Sequence, residues 1–484
     1  MAEAVAKGGR AAPSKWAALT VLSVAYLMVV LDVSIVNVAL PSIETDLKFA
    51  PENLQWVVSA YALTCGGFLL LGGRIGDVIG RRRLFMIGLG LFALTSLLAG
   101  LSVSSGMLIA MRALQGAAGA MLSPSVFSIT AVTFEEGPER NKALGVLGAV
   151  AGSGAAIGVL LGGILTEYLG WEWIFFVNVP IGLLTLLVAS RFVQESRADG
   201  MSRHFDALGA VTITAALMML VYALTQANNA GWASAQTIGL LIGSAVLHGV
   251  FLFIETRSRA PLVPLSFFRY RTPTGANIIG FGLGTIVFGM FFLLSLYMQQ
   301  VLGYSALETG LGYLAVALTA ILASGASQAL VSRIGVKIVL AIGNILLAAG
   351  LLLFTQIPVD GSYVTNLLPG FLLIGVGLGF SFVPVSIAAL AGIKPWESGL
   401  ASGLINTSQQ IGGALGVAIL TTVATTHAED LLGDGENRAE AFTSGYSWAF
   451  WVAAAFAVAN LLATIIVLKR GELKSAPHGA PAAM

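Results

Sequence analysis

The chain has 484 residues, of which 57% are hydrophobic and only 10% are charged. No water-soluble fold hides so much apolar surface, so this composition predicts an all-α polytopic membrane protein. The formal net charge of +1 gives no sign of a nucleic-acid partner, and the single cysteine, Cys65, excludes a disulfide framework, a cysteine metal cage or a redox pair.

Fourteen apolar stretches of about 18 to 27 residues run along the chain, each near the length that crosses a bilayer. We expect transmembrane helices, in chain order, at 16–40, 54–73, 84–101, 107–130, 142–166, 172–193, 206–224, 236–256, 274–299, 308–330, 335–356, 363–390, 398–424 and 446–468. The first residues are polar, and the stretch that follows them is too long for a cleaved signal peptide. It is therefore predicted to be the first spanning helix.

The first span contains an acid, Asp32, within the sequence LDVSIVNVALP. A charged side chain at that depth costs several kcal/mol unless it is neutralised, so such residues are rare and usually functional. We interpret Asp32 as a carboxylate that a transporter protonates and deprotonates. The alternative is an interfacial cap, but Lys15 and Pro41 mark the ends of this helix and Asp32 lies well inside them.

The loop after the second span reads GGRIGDVIGRRRLF, in which Asp77 precedes Arg81, Arg82 and Arg83. The excess of basic residues in cytoplasmic loops explains these arginines without Asp77. An acid at a helix end can also cap a neighbouring helix and pair with a basic group across the two halves of the molecule. On the residues alone, both interpretations stay open.

Arg112 lies within the fourth span, where an arginine needs a counter-charge or several hydrogen-bond acceptors. Helical rise puts Asp32 about 24 Å from the inner end of span one and Arg112 about 8 Å from the outer end of span four. Both are therefore expected at similar depth in the outer half of the membrane, with Gln115 on the arginine's own face at i+3. A proton or a cationic substrate could compete for this carboxylate; the alternative is a permanent structural ion pair.

Span five carries a row of glycines, Gly154, Gly158 and Gly162, at intervals of four residues, and Gly148 and Gly152 form a second row of small residues. Such rows let membrane helices approach closely, and packing alone explains most of these glycines. We further expect span five to slide against a partner from the other half, at span ten or its neighbours.

An internal repeat relates the first six spans to the last six. Its aligned pairs are Gly119 with Gly379, Pro124 with Pro384, Gly158 with Gly412, and Gly162 with Gly416. Two six-helix halves in a parallel repeat are typical of a transporter with a central site, and spans seven and eight form an inserted pair. The predicted division is 1–195 for the first bundle, 196–271 for the inserted pair with its linkers, 272–470 for the second bundle and 471–484 for a tail.

Lysine and arginine fall on one side of this topology. With the N-terminus inside, the outer loops hold only Lys48 and Arg438. The positive-inside rule therefore predicts both termini in the cytoplasm of a protein of the cytoplasmic membrane. The acidic outer segment His427–Gly445 is expected to be a solvated hairpin.

These features resemble the major facilitator superfamily, and specifically its fourteen-span drug:proton antiporters. The family's loop signature G-x-L-x-D-x-x-G-R-R/K corresponds to Gly73, Asp77, Gly80, Arg81 and Arg82. The resemblance covers nearly the whole chain. It implies the major facilitator fold, with two six-helix bundles plus two inserted helices, and a cytoplasmic gate at this loop.

Two further signatures lie in spans four and five. R-x-x-Q-G-x-G corresponds to Arg112, Gln115, Gly116 and Gly119. Apart from its proline, the antiporter signature G-x-x-x-G-P-x-x-G-G corresponds to Gly154, Gly158, Gly162 and Gly163. Val159 stands in place of the usual proline, a departure that concerns the direction of exchange rather than the fold.

The resemblance implies proton-coupled efflux of amphipathic drugs or antibiotics by alternating access, by a monomer in the lipid bilayer that is not an enzyme and needs no cofactor or metal. A dedicated exporter of one antibiotic or metabolite is the first alternative. A proton symporter for a small organic solute is the second, although such carriers usually need more charge in the cavity. A membrane enzyme or receptor would need a catalytic constellation or a soluble domain, and the sequence has neither.

Polar and aromatic residues within the spans are candidates for the wall of a substrate cavity between the halves. Those of the first half are Asn37, Gln55, Tyr61 and Gln115, and those of the second half are Phe292, Gln299, Phe380, Asn406 and Gln409. The phenylalanines offer apolar or cation–π contacts. The alternative is that these aromatic rings face lipid or packing neighbours.

Overall fold

The computed structural model describes residues 14–49, 54, 56–197, 206–258, 261–394 and 397–468, which form helices joined by short turns. The spanning helices are α1 (Lys15–Asp46), α2 (Trp56–Ile79), α3 (Arg81–Gly100), α4 (Ser105–Thr133), α5 (Pro138–Tyr168), α6 (Trp173–Phe192), α7 (Ala207–Ala230), α8 (Ala235–Arg257), α9 (Arg271–Val301), α10 (Leu307–Ile334), α11 (Val336–Phe354), α12 (Tyr363–Ala389), α13 (Ser398–Gly433) and α14 (Arg438–Val467). Among the described residues, thirteen are single helices of sufficient length and apolarity, and α5, bent by 47°, is the fourteenth. The prediction of an all-α protein with fourteen spans is confirmed.

The helices continue beyond the predicted spans. α13 runs to Gly433 and α14 begins at Arg438, so the outer loop predicted at His427–Gly445 is shorter than expected, a turn between two helices whose tip is exposed. The Asn437 side chain accepts a hydrogen bond of 3.1 Å from the Ala439 amide and so begins α14. Apolar length predicts the part of a helix that lies in lipid, whereas caps such as this one determine where the helix ends.

α6 is built from two segments, Trp173–Phe176 and Asn178–Phe192, with a break at Val177. Pro180 has no amide hydrogen, so the carbonyl of Phe176 cannot receive the hydrogen bond that an unbroken helix would give it. The break places Asn178 at the start of the longer segment.

The two six-helix bundles are built alike. In α5, Gly158 lies against the backbone of α1, where an added Cβ would be 3.0 Å from the Leu31 carbonyl oxygen. In α13, the matching Gly412 lies against the backbone of α9, where an added Cβ would be 2.9 Å from the carbonyl carbon of Phe281. The glycines of the repeat therefore let α5 approach α1, and α13 approach α9, more closely than larger side chains allow.

Two pairs of helices join the halves. α5 packs against α10 and α12 of the second half, and α13 packs against α2 and α4 of the first half. We call the end of the bundle that carries Gly80 and Arg82 the arginine-rich end, and the end that carries Trp171 the opposite end. The seams between the halves run from one end to the other.

The inserted pair lies on the outside of one seam. α7 packs against both α2 and α13, and α8 packs on α7. The rings of Trp56 and Tyr222 stack with centroids 5.6 Å apart, and Trp232 Nε1 donates a 2.6 Å hydrogen bond to Thr422 Oγ1 of α13. The predicted domain limits stay predictions, because 198–205, 259–260 and 469–484 lie outside the described residues.

Candidate functional site

The acid of α1 and the arginine of α4 form a buried ion pair. Arg112 Nη1 lies 2.5 Å from Asp32 Oδ2, and the two residues are 1% and 0% exposed. Two charges at this depth are tolerated when they neutralise one another and their remaining hydrogen-bond positions are filled. The pairing of these two residues, predicted from their depth, is present in the structure.

Two amides complete the surroundings of the carboxylate. Gln115 Nε2 donates to Asp32 Oδ1 over 2.8 Å, and Asn178 Nδ2 of α6 donates to the same oxygen over 3.2 Å. Gln115 Nε2 also donates to Ser96 Oγ of α3 over 2.7 Å. These residues, called the carboxylate cluster below, come from four helices: Asp32 from α1, Ser96 from α3, Arg112 and Gln115 from α4, and Asn178 from α6.

The arginine also has partners other than the acid. Arg112 Nε donates to the Val57 carbonyl over 2.9 Å, and Nη1 donates to Gln115 Oε1 over 2.6 Å. Its guanidinium lies over the Tyr61 ring at 4.4 Å and near the Phe175 ring at 5.7 Å. These acceptors and π faces remain when the acid loses its charge. Asp32 can therefore become neutral without leaving the buried guanidinium unpaired.

Sequence reasoning missed Asn178 and Ser96. Each is a small polar residue in an apolar span, and such residues usually bond to their own helix or to a neighbour. The available signal was the position of Asn178 two residues before Pro180, since a proline interrupts the helix and redirects nearby side chains. No comparable signal marked Ser96.

At the arginine-rich end, Asp77 pairs within its own half. Arg81 donates to Asp77 Oδ1 from Nη2 over 2.7 Å and from Nε over 3.0 Å, and both residues are 1% exposed. In the described part of the chain, this ion pair lies within one half and not across the two halves. Gly80, with φ of +115°, turns the chain between α2 and α3 so that the arginine at i+4 reaches back to the acid.

The same acid lies against the start of α13 in the other half. An added Cβ at Gly399 would be 2.5 Å from Asp77 Oδ2 and 2.5 Å from the Gly73 carbonyl oxygen, so the two backbones touch. The first turn of a helix carries unpaired amide hydrogens and a partial positive charge, which attract a carboxylate. Gly73 and Gly399 together let this contact form.

A second acid at this end was not predicted. Glu195, which follows α6, accepts hydrogen bonds from the backbone amides of Arg82 (3.1 Å) and Arg83 (3.2 Å). The Arg82 side chain donates to the Ser190 carbonyl over 2.6 Å. Glu195 thus caps the start of α3 and ties it to α6.

The signature glycines of α5 face α1 of their own half, whereas the predicted contact of span five with span ten and its neighbours is made by other positions of the helix. An added Cβ at Gly154 would touch Val30, and one at Gly162 would lie 2.7 Å from the Ile35 carbonyl oxygen. Gly163 is buried. Periodicity identified one face of α5 but not the helix that covers it.

Other positions of α5 make the contact between the halves. An added Cβ at Gly148 would lie 2.9 Å from the Val383 backbone nitrogen of α12. Toward the opposite end, an added Cβ at Gly310 of α10 would lie 3.0 Å from the Val159 carbonyl oxygen and 2.7 Å from the Leu160 Cα. Val159, the residue that replaces the signature proline, is therefore at the seam.

The candidate cavity residues are spread over several surroundings. Tyr61 and Gln115 belong to the neighbourhood of Arg112, whereas Asn37 is exposed and donates to the Val33 carbonyl of its own helix over 3.2 Å. Asn406 is buried and bonds to Ser402 of its own helix. Phe292, Gln299, Phe380 and Gln409 are half-buried, and Gln55 lies outside the described residues.

One contact brings polar groups of both halves together near the carboxylate cluster. Gln410 Nε2 of α13 lies 3.9 Å from the Cys65 Sγ of α2, and the Tyr61 hydroxyl and Cys65 thiol both face Gly119. In the described part of the chain, no group of three or more His, Cys, Asp or Glu side chains is placed to hold a metal ion. The cluster is thus suited to holding or releasing a proton beside the seam.

A family model described as the Major Facilitator Superfamily matches residues 22–417. The chain belongs to the Major Facilitator Superfamily. It is a multi-pass membrane transporter that carries small molecules, and it is not an enzyme.

Two curated members of this superfamily match most of the chain. The puromycin resistance protein of Streptomyces alboniger is 39% identical over 459 residues, which cover 94% of this chain and 91% of that protein. The cephamycin export protein of Amycolatopsis lactamdurans is 37% identical, over 99% of this chain and 98% of that protein.

Solved structures support the fold. The human organic anion transporter MFSD10 superposes with a TM-score of 0.67 at 16% identity, over 93% of this chain and all of that chain (100%). A proton:xylose symporter superposes with a TM-score of 0.64 at 16% identity, over 95% of this chain and 97% of that chain. The major facilitator fold predicted from the signatures is confirmed.

Proposed function

We propose that this transporter exports amphipathic drugs or antibiotics across the cytoplasmic membrane in exchange for protons. The observation that carries the proposal is the buried carboxylate of Asp32, held by Arg112, Gln115 and Asn178 beside the seam between the halves. A carboxylate in this setting can gain or lose a proton while Arg112 keeps its other acceptors, the Val57 carbonyl and Gln115 Oε1. The names of the puromycin and cephamycin relatives support antibiotics as the substrate class.

The exchange follows from competition for one carboxylate. A proton that enters from the outer side neutralises Asp32 and weakens its attraction to Arg112 and to any cationic substrate. The substrate then leaves outward, and the proton leaves inward when the cluster faces the cytoplasm. Each transition opens one seam contact and closes another: Gly73 against Gly399 at the arginine-rich end, and Gly310 against Val159 at the opposite end.

Minimum inhibitory concentrations for a panel of antibiotics and dyes test this proposal. An efflux-deficient bacterial host that expresses the protein is expected to show raised minimum inhibitory concentrations for puromycin and for amphipathic cations such as ethidium. A rise for a single antibiotic would instead favour the dedicated exporter, which the single-antibiotic names of the relatives also support. Unchanged values across the panel, with the protein present in the membrane, would contradict drug export.

Asp77 is proposed to act as a gate residue at the cytoplasmic face. Asp77→Asn keeps the size of the side chain but removes the charge that attracts the start of α13 and holds Arg81. We expect transport of every substrate to slow by a similar factor, about tenfold, because an electrostatic contact of this kind is worth about 1–2 kcal/mol. Efflux rates and equilibrium binding of ethidium measure the two effects separately.

Equilibrium binding by Asp77→Asn should stay near the wild-type value, since the acid is buried against Arg81 and the start of α13. Arg83→Gln is the matched control, because its exposed side chain lies in the first turn of α3, close to Asp77 in sequence. A change in the substrate profile of Asp77→Asn would place this loop in the recognition site and contradict the gate.

Both termini are proposed to be cytoplasmic, from the distribution of lysine and arginine. A reporter fused after residue 433, in the turn between α13 and α14, is expected to show external activity, and one fused at the C-terminus internal activity. Alkaline phosphatase and green fluorescent protein fusions measure the two locations. The reverse pattern would invert the topology and the assignment of the gate.

A further inference from the structure

When the Asp32 carboxylate takes up a proton in the proposed exchange, the new O–H group needs a neighbouring hydrogen-bond acceptor. We propose that Asn178 is the positioning residue that keeps the Asp32 carboxyl bonded both with and without its proton. This inference rests on the proposed function, because it assumes that Asp32 takes up a proton from the aqueous phase.

The two oxygens of the carboxylate have unequal surroundings. Oδ2 lies 2.5 Å from Arg112 Nη1, so a proton on that oxygen would face a cationic donor. Oδ1 receives only amide hydrogens, from Gln115 over 2.8 Å and from Asn178 over 3.2 Å. The proton is therefore placed on Oδ1, and one of these two amides must turn from donor to acceptor.

Gln115 is not free to turn. Its Oε1 accepts from Arg112 Nη1 over 2.6 Å, and its Nε2 also donates to Ser96 Oγ over 2.7 Å. Rotating this amide would point its NH₂ group at the guanidinium and give up an acceptor of a charged donor. Hydrogen bonds to charged groups are the stronger ones, so this rotation is opposed.

Asn178 can turn at lower cost. Within the described part of the chain, the Asn178 side chain makes one hydrogen bond, from Nδ2 to Asp32. Its side-chain oxygen Oδ1 has no charged donor there. Rotation of the amide replaces Nδ2–H···Oδ1 by a bond from the new Asp32 O–H to Asn178 Oδ1. The residue also stands at the break in α6, at the start of Asn178–Phe192, so the bond links the state of the acid to that segment.

Among the described residues, the other titratable or charged groups near Asp32 belong to Arg112, Tyr61 and Cys65. Arg112 approaches from α4, and Tyr61 and Cys65 approach from α2. The Tyr61 hydroxyl is the main competitor as acceptor of the acid proton, since the Tyr61 ring lies 4.4 Å from the guanidinium that binds Asp32. The test therefore includes Tyr61→Phe.

Infrared difference titration of the purified protein in liposomes tests the proposal without any substrate. The carboxylic C=O band that Asp32→Asn lacks reports the protonation of Asp32. In Asn178→Leu we expect its midpoint to rise by about one pH unit, because the lost bond to the charged form is stronger than the lost bond to the acid. We also expect the band to move to higher wavenumber, since the acid proton has lost its acceptor.

The controls separate this role from packing. Asn178→Gln keeps an amide and should hold the band near its wild-type position, and Thr185→Val removes a buried polar group from the same face of α6 and should change neither quantity. If Asn178→Leu does not reach the membrane, Asn178→Ala removes the amide without added bulk and carries the same expectations.

Three results would overturn the proposal: an Asn178→Leu titration that matches wild type, a band that moves only in Tyr61→Phe, or no Asp32 band at any pH. Proton release on addition of ethidium is measured separately. A wild-type protein with the Asp32 band but without ethidium-induced proton release would contradict the proposed function. The infrared titration of Asn178→Leu would still decide the role of Asn178.

Discussion

Asp32→Asn is expected to abolish uphill export and to remove the pH dependence of substrate binding. The amide mimics the protonated acid in shape and charge, so the cluster can no longer alternate between two charge states. Arg112 keeps the Val57 carbonyl and Gln115 as acceptors, and we therefore expect the protein to fold and reach the membrane. In everted vesicles, ethidium-driven collapse of a preformed pH gradient should fall at least about a hundredfold, to background.

Asp434→Asn is the matched control for this substitution, because Asp434 is an exposed acid at the turn after α13. Its exchange activity should equal that of the wild type. An Asp32→Asn protein that still exchanges ethidium for protons at the wild-type ratio would show that another group carries the proton.

Arg112→Lys should fail as well. The guanidinium uses Nε and Nη1 to reach the Val57 carbonyl, Gln115 and Asp32 at once, whereas an ammonium group is a single point donor.

Gly158→Leu is expected to abolish transport while protein remains in the membrane. Even a Cβ at this position would overlap Ser34 Oγ and press on the Leu31 carbonyl, so the larger side chain forces α5 away from α1. The opposite faces of α5 contact α10 and α12, and a shift of the helix disturbs the seam between the halves. Ethidium efflux and the amount of protein in the membrane are the two measurements.

A matched control and a partial rescue sharpen this test. Gly249→Leu adds the same bulk on α8, where an added Cβ meets nothing within 4 Å, and should transport normally. Gly158→Ala should be impaired, and Ser34→Gly in the same protein should recover part of its activity by removing the overlapping hydroxyl. Normal transport by Gly158→Leu would mean that close packing of α5 on α1 is not required.

The sequence was sufficient to predict partners where physical constraints were severe. A charge in the middle of a span has few tolerable neighbours, so depth alone paired Asp32 with Arg112. The repeat likewise predicted matching roles for Gly158 and Gly412, because only small residues allow two helix backbones to touch. The fold and the centre of the candidate site followed from such constraints.

Sequence reasoning failed where several different neighbours could have packed against, or paired with, the same residue. The glycine row of α5 could have met any helix, and the structure places α1 there. Asp77 could have reached a base in either half, and the turn at Gly80 selects Arg81. Asn178 and Glu195 gave too weak a signal because an isolated amide, or an acid in a loop, is common and usually has no special role.

The position of the inserted pair has a consequence for substrates that dissolve in lipid. α7 covers the outer side of α2 and α13, and the bond from Trp232 to Thr422 holds it there. Among the residues that the structure describes, the inserted pair packs on α2 and α13 rather than on α5 and α10. A hydrophobic molecule that approached α2 and α13 from within a leaflet would therefore meet α7 before it met the seam between those two helices.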